Sequence, residues 1–454
     1  MAYLKTSLFF CGLAAHAGIV FAAEPVPPGV PATTGAAPTH VHQPGMVMPE
    51  VTHMDHVDHA DHMGHMGHMP ALLGPYSMTR EASGTSWQPE SAAHEGIHGA
   101  VGEWNTMVHG FANLVHDRQT GPRGATQTFS QSMLMLMGQR SLGSGTLGLR
   151  GMFSLDPLMG KNGYSELFQT GETANGITPL IDRQHPHDLI MEMAATWSVP
   201  LSADSAIYVY AGLPGEPALG PTAYMHRFSG AENPEAPITH HWLDSTHISF
   251  GVTTLGYVLR DWKFEASAFH GREPDQFRYN IETGPLDSHS VRLTWNPTPD
   301  WSAQISRGRL HSPEALTPDI DIDRTTASVT NNLAMGGNVL QSTLAWGRNR
   351  PAQGRASNGY LLESAYAIGQ RHTVFGRLER VDKNELFLEN DPLHDRSFGI
   401  GKASIGYVYD FPTNGHVKVG IGGMLSGFTM PSELKSVYGE NPTAALVFLR
   451  LKLM

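Results

Sequence analysis

RDWKFEASAF, residues 260–269, sets an apolar row of Trp262, Phe264, Ala266 and Ala268 against a polar row of Lys263, Glu265 and Ser267. Successive side chains of a strand point to opposite faces, so this period of two predicts a strand lying between two unlike environments. Arg260 and Asp261, just ahead of it, read as a tight turn. The pattern recurs outward in both directions. Leu189, Met191, Met193, Ala195, Trp197 and Val199 are expected on one face over 188–199. Val291, Leu293 and Trp295 oppose Arg292, Thr294 and Asn296, and Val417, Val419, Ile421 and Leu425 oppose His416 and Lys418.

The links between these segments alternate in length. Short turns fall near 143–145, 201–204, 260–261, 297–300, 336–338, 369–371 and 411–415. Between them lie longer loops near 118–125, 157–187, 214–244, 272–287, 311–323, 349–357, 383–395 and 428–440. About sixteen strands joined in this way predict an all-β fold, a transmembrane antiparallel β-barrel, with both termini on the periplasmic side. Closure is a physical requirement, because a sheet in hydrocarbon cannot leave edge amides unpaired. Trp197, Trp242, Trp262, Trp295, Trp301 and Trp346 are expected in the interfacial belts. The rival is a soluble secreted all-β protein, whose strands also alternate.

The chain divides into four parts. Residues 1–23 carry Lys5, an apolar run from Leu8 to Val20 and a small-residue end, which reads as a secretory signal peptide. Residues 24–70 form an expected disordered arm, too poor in large apolar side chains to offset the entropy of ordering. Residues 71–103 read as a linker, in which His94 and His98 have the spacing of one helix face. Residues 104–454 are the barrel. The only cysteine, Cys11, lies in the leader, so the exported chain is not a disulfide scaffold. A formal charge of -12 excludes nucleic acid as a partner. Lipid of the outer membrane and metal ions are the expected partners.

The metal expectation comes first from THMDHVDHADHMGHMGHMP, residues 52–70. His53, His56, His59, His62, His65 and His68 recur every third residue, interleaved with Met54, Met63, Met66 and Met69. Imidazole suits divalent copper and zinc, and thioether selects soft monovalent ions, so the mixture points to copper, with silver or zinc as alternatives. A second set lies at the long-loop end. His185 and His187, beside Asp182 and Asp188, and His240, His241 and His247, beside Asp244, have suitable ligand types. They are read either as metal ligands or as braces between loops. His226, His270, Glu273, His289 and His311 are expected in the same rim and loop region, and Glu232 and Glu235 would make the mouth attractive to cations.

Met133, Met135 and Met137 share one strand face, which has two readings: a lipid-facing row, the commoner meaning, or a thioether ladder through the lumen. Lys263, Glu265, Arg292, Arg307, Glu363 and Lys402 are expected to face the lumen. Ser245 with His247, and Ser288 with His289, are the nearest approach to a nucleophile and base. Neither sits in a catalytic motif. The chain therefore reads as a binding or transport protein and not an enzyme. An outer-membrane hydrolase is kept as an alternative, and so is a general porin or adhesin with an incidental metal-binding arm.

A leader, a His- and Met-rich arm and a C-terminal barrel together resemble the copper resistance protein B family of Gram-negative bacteria. The blocks DRQHPHD (182–188), ENPEAPITHHW (232–242) and GREPD (271–275) look like those of uncharacterised barrels associated with heavy-metal tolerance. The resemblance implies copper sequestration or passage at the outer membrane, with a periplasmic copper carrier or efflux components as partners.

Overall fold

The structure, a computed structural model, describes residues 71–453 apart from 94, 395 and 414. The expected leader, the metal-collecting arm from His53 to Met69, and His94 lie outside the described residues. A short strand β1 (Ile97–Val101) leads into β2 (Trp104–Gln119), β3 (Thr126–Leu142) and β4 (Gly145–Phe153). The loop that follows holds a separate hairpin, β5 (Tyr164–Thr173) and β6 (Pro179–Gln184). The wall continues with β7 (Ile190–Ser202), β8 (Ser205–Gly212), β9 (Val252–Leu259), β10 (Trp262–Phe269), β11 (Ser288–Thr298) and β12 (Trp301–Leu310). It is completed by β13 (Ile322–Met335), β14 (Asn338–Pro351), β15 (Ser357–Ile368), β16 (His372–Lys383), β17 (Phe398–Asp410), β18 (Val417–Thr429) and β19 (Thr443–Leu453).

Sixteen antiparallel strands, β2 to β4 and β7 to β19, close into a ring. The seam is β19 against β2, in register from Ala444 opposite Gln119 to Leu453 opposite Gly110. Where β19 ends, β1 takes over the exposed edge of β2, pairing Ile97 with Val108. Short and long links alternate around the ring as the sequence predicts.

The polarity of the wall is inverted relative to a water-soluble protein. Leu255, Phe264, Val291, Leu344, Ile405, Leu425 and Val447 point outward and are exposed, while Lys263, Glu265, Arg292, Glu363, Arg377 and Lys402 point inward and are buried. A continuous apolar exterior of this kind is stable in hydrocarbon and not in water, which identifies an outer-membrane-type barrel. Trp197, Trp262, Trp295 and Trp301 lie exposed near the short-turn end, with Trp262 and Trp295 stacked at 5.1 Å. Trp242 departs from the expected belt: it is buried in the short helix α1 (His240–Leu243) and donates from its indole to Ser357.

Three further readings change. Met191 and Met193 do not share a face, because a bulge opposite Met152 and Phe153 turns Met191 inward and leaves Met193 outside. Arg307 faces outward, where it meets Asp323 at 3.8 Å near the loop end of the wall. Residues 71–93 are not a free linker. They pack inside the short-turn end of the lumen, with Leu72, Leu73 and Trp87 buried and Arg80 donating to the Arg260 carbonyl. His98 stands in β1, so no helix face is formed there.

The lumen is filled from the other end by the loop 213–251. Arg227 in that loop is buried and reaches Glu363 on β15 at 2.7 Å and Asp244 at 2.6 Å. Arg377 on β16 adds a bond to Glu363 at 3.0 Å. Lys402 on β17 joins Glu166 at 2.7 Å and Glu235 at 2.8 Å. Glu232 pairs with Arg450 and Lys452. The two loop glutamates expected to draw cations into the mouth are therefore already neutralised by wall bases. Removing one partner of such a buried pair typically costs about 3–5 kcal/mol, because the other charge stays out of water. Arg227→Ala should accordingly loosen the loop and raise single-channel conductance in a planar bilayer well above that of the parent. Unchanged conductance would show that these pairs do not hold the lumen shut.

Candidate metal centre

Five of the histidines singled out in the sequence meet in one buried cluster. The hairpin β5 and β6 delivers His185 and His187, and the loop 213–251 delivers His240 and His241 on α1 and His247 on the turn after it. Ring centroids lie 5.3 Å apart for His187 and His247, 5.1 Å for His240 and His247, 5.5 Å for His240 and His241, and 5.9 Å for His185 and His241. Tyr224, from the same loop, packs 5.5 Å from His240.

Three of the rings are oriented by a partner on Nδ1. His187 Nδ1 donates to Asp156 at 2.8 Å, His240 Nδ1 to Asp244 at 2.9 Å, and His247 Nδ1 to the Asp244 carbonyl at 2.8 Å. Carboxylates and carbonyls only accept here, so each ring when neutral offers its Nε2 lone pair to the cluster. Metal-binding histidines are oriented in this way by an acceptor behind the ring. The Nε2 of His247 is buried and has no hydrogen-bond partner, whereas that of His187 has only a 3.5 Å contact with the Tyr224 hydroxyl.

Burial pushes His247 down to about 3, and the neighbouring His240 and His187 push the same way. Burial also lowers His240 and His185. For Asp244 burial acts upward, but Arg227 and His240 outweigh it and hold the carboxyl below its usual range. Burial thus favours the neutral imidazole for His185, His240 and His247, and carboxylates stand behind the cluster, a donor set suited to divalent copper or zinc.

The carboxylates differ from those the sequence suggests. Asp182 turns to Arg123, Tyr438 and the Phe168 amide, and Asp188 to Arg278, so neither backs a histidine. Asp156 and Glu172 take those places, with Glu172 Oε1 3.2 Å from His185 Nε2. Glu172 adopts a φ of 59°, a left-handed conformation that costs a non-glycine residue energy and is kept where the surroundings enforce it. At the outer edge, His241, Glu273 and Glu314 each bring a potential ligand atom within 4.8 Å of the others. His241 and Glu314 line a cavity of about 860 Å³ among the loops. His270 and His311 stand apart, with Nδ1 bonded to the Pro285 carbonyl and to Asp321 respectively, and His289 faces outward.

The methionine stripe is turned into the lumen. Met133 and Met135 are buried while Leu134 and Leu136 are exposed on the lipid side. They pack with Met152, Met191, Tyr224 and Met225. Nothing in the spacing of β3 alone separates lumen from lipid; the run Tyr224, Met225 and His226 in the longest loop was the available signal. Neither serine of the hydrolase alternative engages its histidine. Ser245 accepts from Arg324 at 2.9 Å, and Ser288 donates to Asp287 at 2.9 Å while His289 lies on the opposite face.

No protein-family model and no curated protein matches the chain. Among solved structures it is similar to OprB of Pseudomonas putida, at 8% identity and a TM-score of 0.49, over 77% of this chain and 94% of that one. OmpF of Salmonella typhi is 9% identical at a TM-score of 0.48, over 78% of this chain and 100% of that one. An anion-selective porin from Comamonas acidovorans is 13% identical at a TM-score of 0.45, over 77% of this chain and 100% of that one.

Because the folded value of His247 lies below the ordinary 6.5, the unfolded chain takes up a proton first as pH falls. Stability from this group is intact above 6.5 and declines from there towards 3. Urea midpoints at pH 7.5 and pH 5 should differ in the parent and differ less in His247→Gln. An equal pH effect in both proteins would assign the acid sensitivity elsewhere.

Proposed function

We propose that this outer-membrane-type barrel binds copper, or alternatively silver or zinc, and contributes to metal tolerance or to metal passage. The carrying observation is the meeting of His187, His240 and His247, brought from two loops far apart in sequence, with each Nδ1 held by an acceptor. Loop braces need only pairwise hydrogen bonds. A buried ring with an unpartnered Nε2, as in His247, is costly unless something occupies that lone pair. The arm residues from His53 to Met69 are the expected collecting tract of the same protein, facing the periplasm, where a copper carrier or efflux component could exchange metal with it. The likeness to the copper resistance protein B family supports the choice of metal.

A porin remains the second reading, favoured by the ring of sixteen strands. Its lumen, however, is occupied by 71–93 and by 213–251, and a porin of this form would need both to move.

Purified full-length protein equilibrated with Cu²⁺ or Zn²⁺ should retain one more tightly held equivalent than a His240→Ala/His247→Ala variant, measured by elemental analysis of the isolated protein. Asp156→Asn should weaken that equivalent by about 10–100-fold, the usual effect of removing the group that orients a ligand. Equal metal content in parent and double variant would refute the histidine centre.

A further inference from the structure

Below the histidine cluster, towards the short-turn end, β2, β3 and β4 carry a second set of donors in cross-strand register. His109 on β2 lies directly opposite Met135 on β3, and Met135 lies directly opposite Met152 on β4. On the same two strands and two residues further along, Met107 faces Met137. Directly opposed residues have their Cβ atoms roughly 4.5–5.5 Å apart, so His109, Met135 and Met152 form a row across three strands. The row is closed from the lumen side by His226 of the loop 213–251.

The contacts within this row are between nitrogen and sulfur. His109 Nε2 lies 3.1 Å from Met135 Sδ, and His226 Nε2 lies 3.4 Å from Met152 Sδ. The two imidazoles face each other edge to face at 5.8 Å. Met133, Met191 and Met225 pack around them, and a cavity of about 110 Å³ opens between Met107, His109, Met133, Met135, Met225 and His226. Methionine is a common gap filler in cores, but a core fills its gap, and here the space persists with the sulfurs around it. The same cavity also has Glu81 and Glu95 on its wall, but Glu81 accepts from the Leu73 amide and the Tyr76 hydroxyl and Glu95 is paired with Lys452 at 2.5 Å, so the donors on the β2 and β3 side are thioether and imidazole. A soft ion gains thioether and imidazole donors together.

We propose that His109, Met135, Met152 and His226 form a binding site for a soft monovalent cation, Cu⁺ or Ag⁺. The site deepens the metal-binding reading by adding a second centre of different ligand class. It stands on different residues from the histidine cluster, and the two are joined through Tyr224, Met225 and His226. No electron transfer is involved, since the ion enters and is held in one oxidation state.

The test uses Ag⁺, which is soft and redox-inert, on the full-length chain with the ten His and Met residues of the arm (His53 to Met69) replaced by Ser. This parent should hold one Ag⁺ with sulfur in its first shell by X-ray absorption. Adding Met135→Leu/Met152→Leu, a volume-conserving change, should weaken Ag⁺ at least 10-fold and remove the sulfur signal, while the folded-barrel gel mobility and retained Zn²⁺ stay as in the parent. Adding His247→Ala instead should leave the sulfur-bound Ag⁺ in place. The proposal is overturned if the arm-substituted parent binds no Ag⁺, or if the Met-to-Leu variant binds it with unchanged sulfur. It is equally overturned if His247→Ala and not the Met-to-Leu change abolishes binding, an outcome that leaves the histidine centre standing. Loss of sulfur-bound Ag⁺ in the Met-to-Leu variant, in a protein that holds no Zn²⁺ at all, would support this site while removing the other.

Discussion

The inward face of the barrel turns ionised side chains away from bulk water, and several of these charges are met by opposite ones brought from elsewhere in the chain. Glu363 illustrates the arrangement: it stands on β15 and takes Arg377 from β16 and Arg227 from the loop 213–251. Lys402 takes Glu166 from the β5 hairpin and Glu235 from the long loop. The wall therefore dictates where the loop lies. Lipid outside fixes the parity of every strand, parity fixes which charges point inward, and those charges fix the filling of the lumen.

Placement of the histidines follows from that filling. Asp244 accepts from Arg227, which is anchored to the wall, and from His240, which belongs to the cluster. A structural ion pair and a hydrogen bond that orients a cluster histidine thus share one carboxylate. The cluster is consequently held with the rigidity of the sheet although its residues lie on loops, the condition a preorganised binding site requires.

The fold was legible because its signal is summed over many strands. Alternation in 260–269 is repeated around the ring, and short links alternate with long ones, so single irregularities do not matter. Local departures were not legible. Met191 turns inward through a bulge that depends on what β4 places opposite, and Arg307 faces outward because its strand extends beyond the apolar band to Asp323. For the site, the histidines could be named from ligand type and position at strand entries, but their partners could not. Asp182 and Asp188 are neighbours in sequence and turn elsewhere, while Asp156, from the start of the same long connection, arrives by folding. Within the stretch 71–103 read as a linker, the packing of 71–93 was not legible for a related reason. Leu72, Leu73 and Trp87 are few, and only a lumen wall ready to receive them makes their burial favourable.

Tyr224, Met225 and His226 are consecutive, and the first packs on the histidine rings while the others reach the thioethers. Three residues of one loop therefore act as a common fulcrum for two donor sets and for the closure of the lumen. A ligand that binds only the arrangement in which they are seated adds to its stability in proportion to the logarithm of its concentration over its dissociation constant. If metal binds at these centres as proposed, it serves as a removable keystone, and the metal-free barrel is the one that opens most readily.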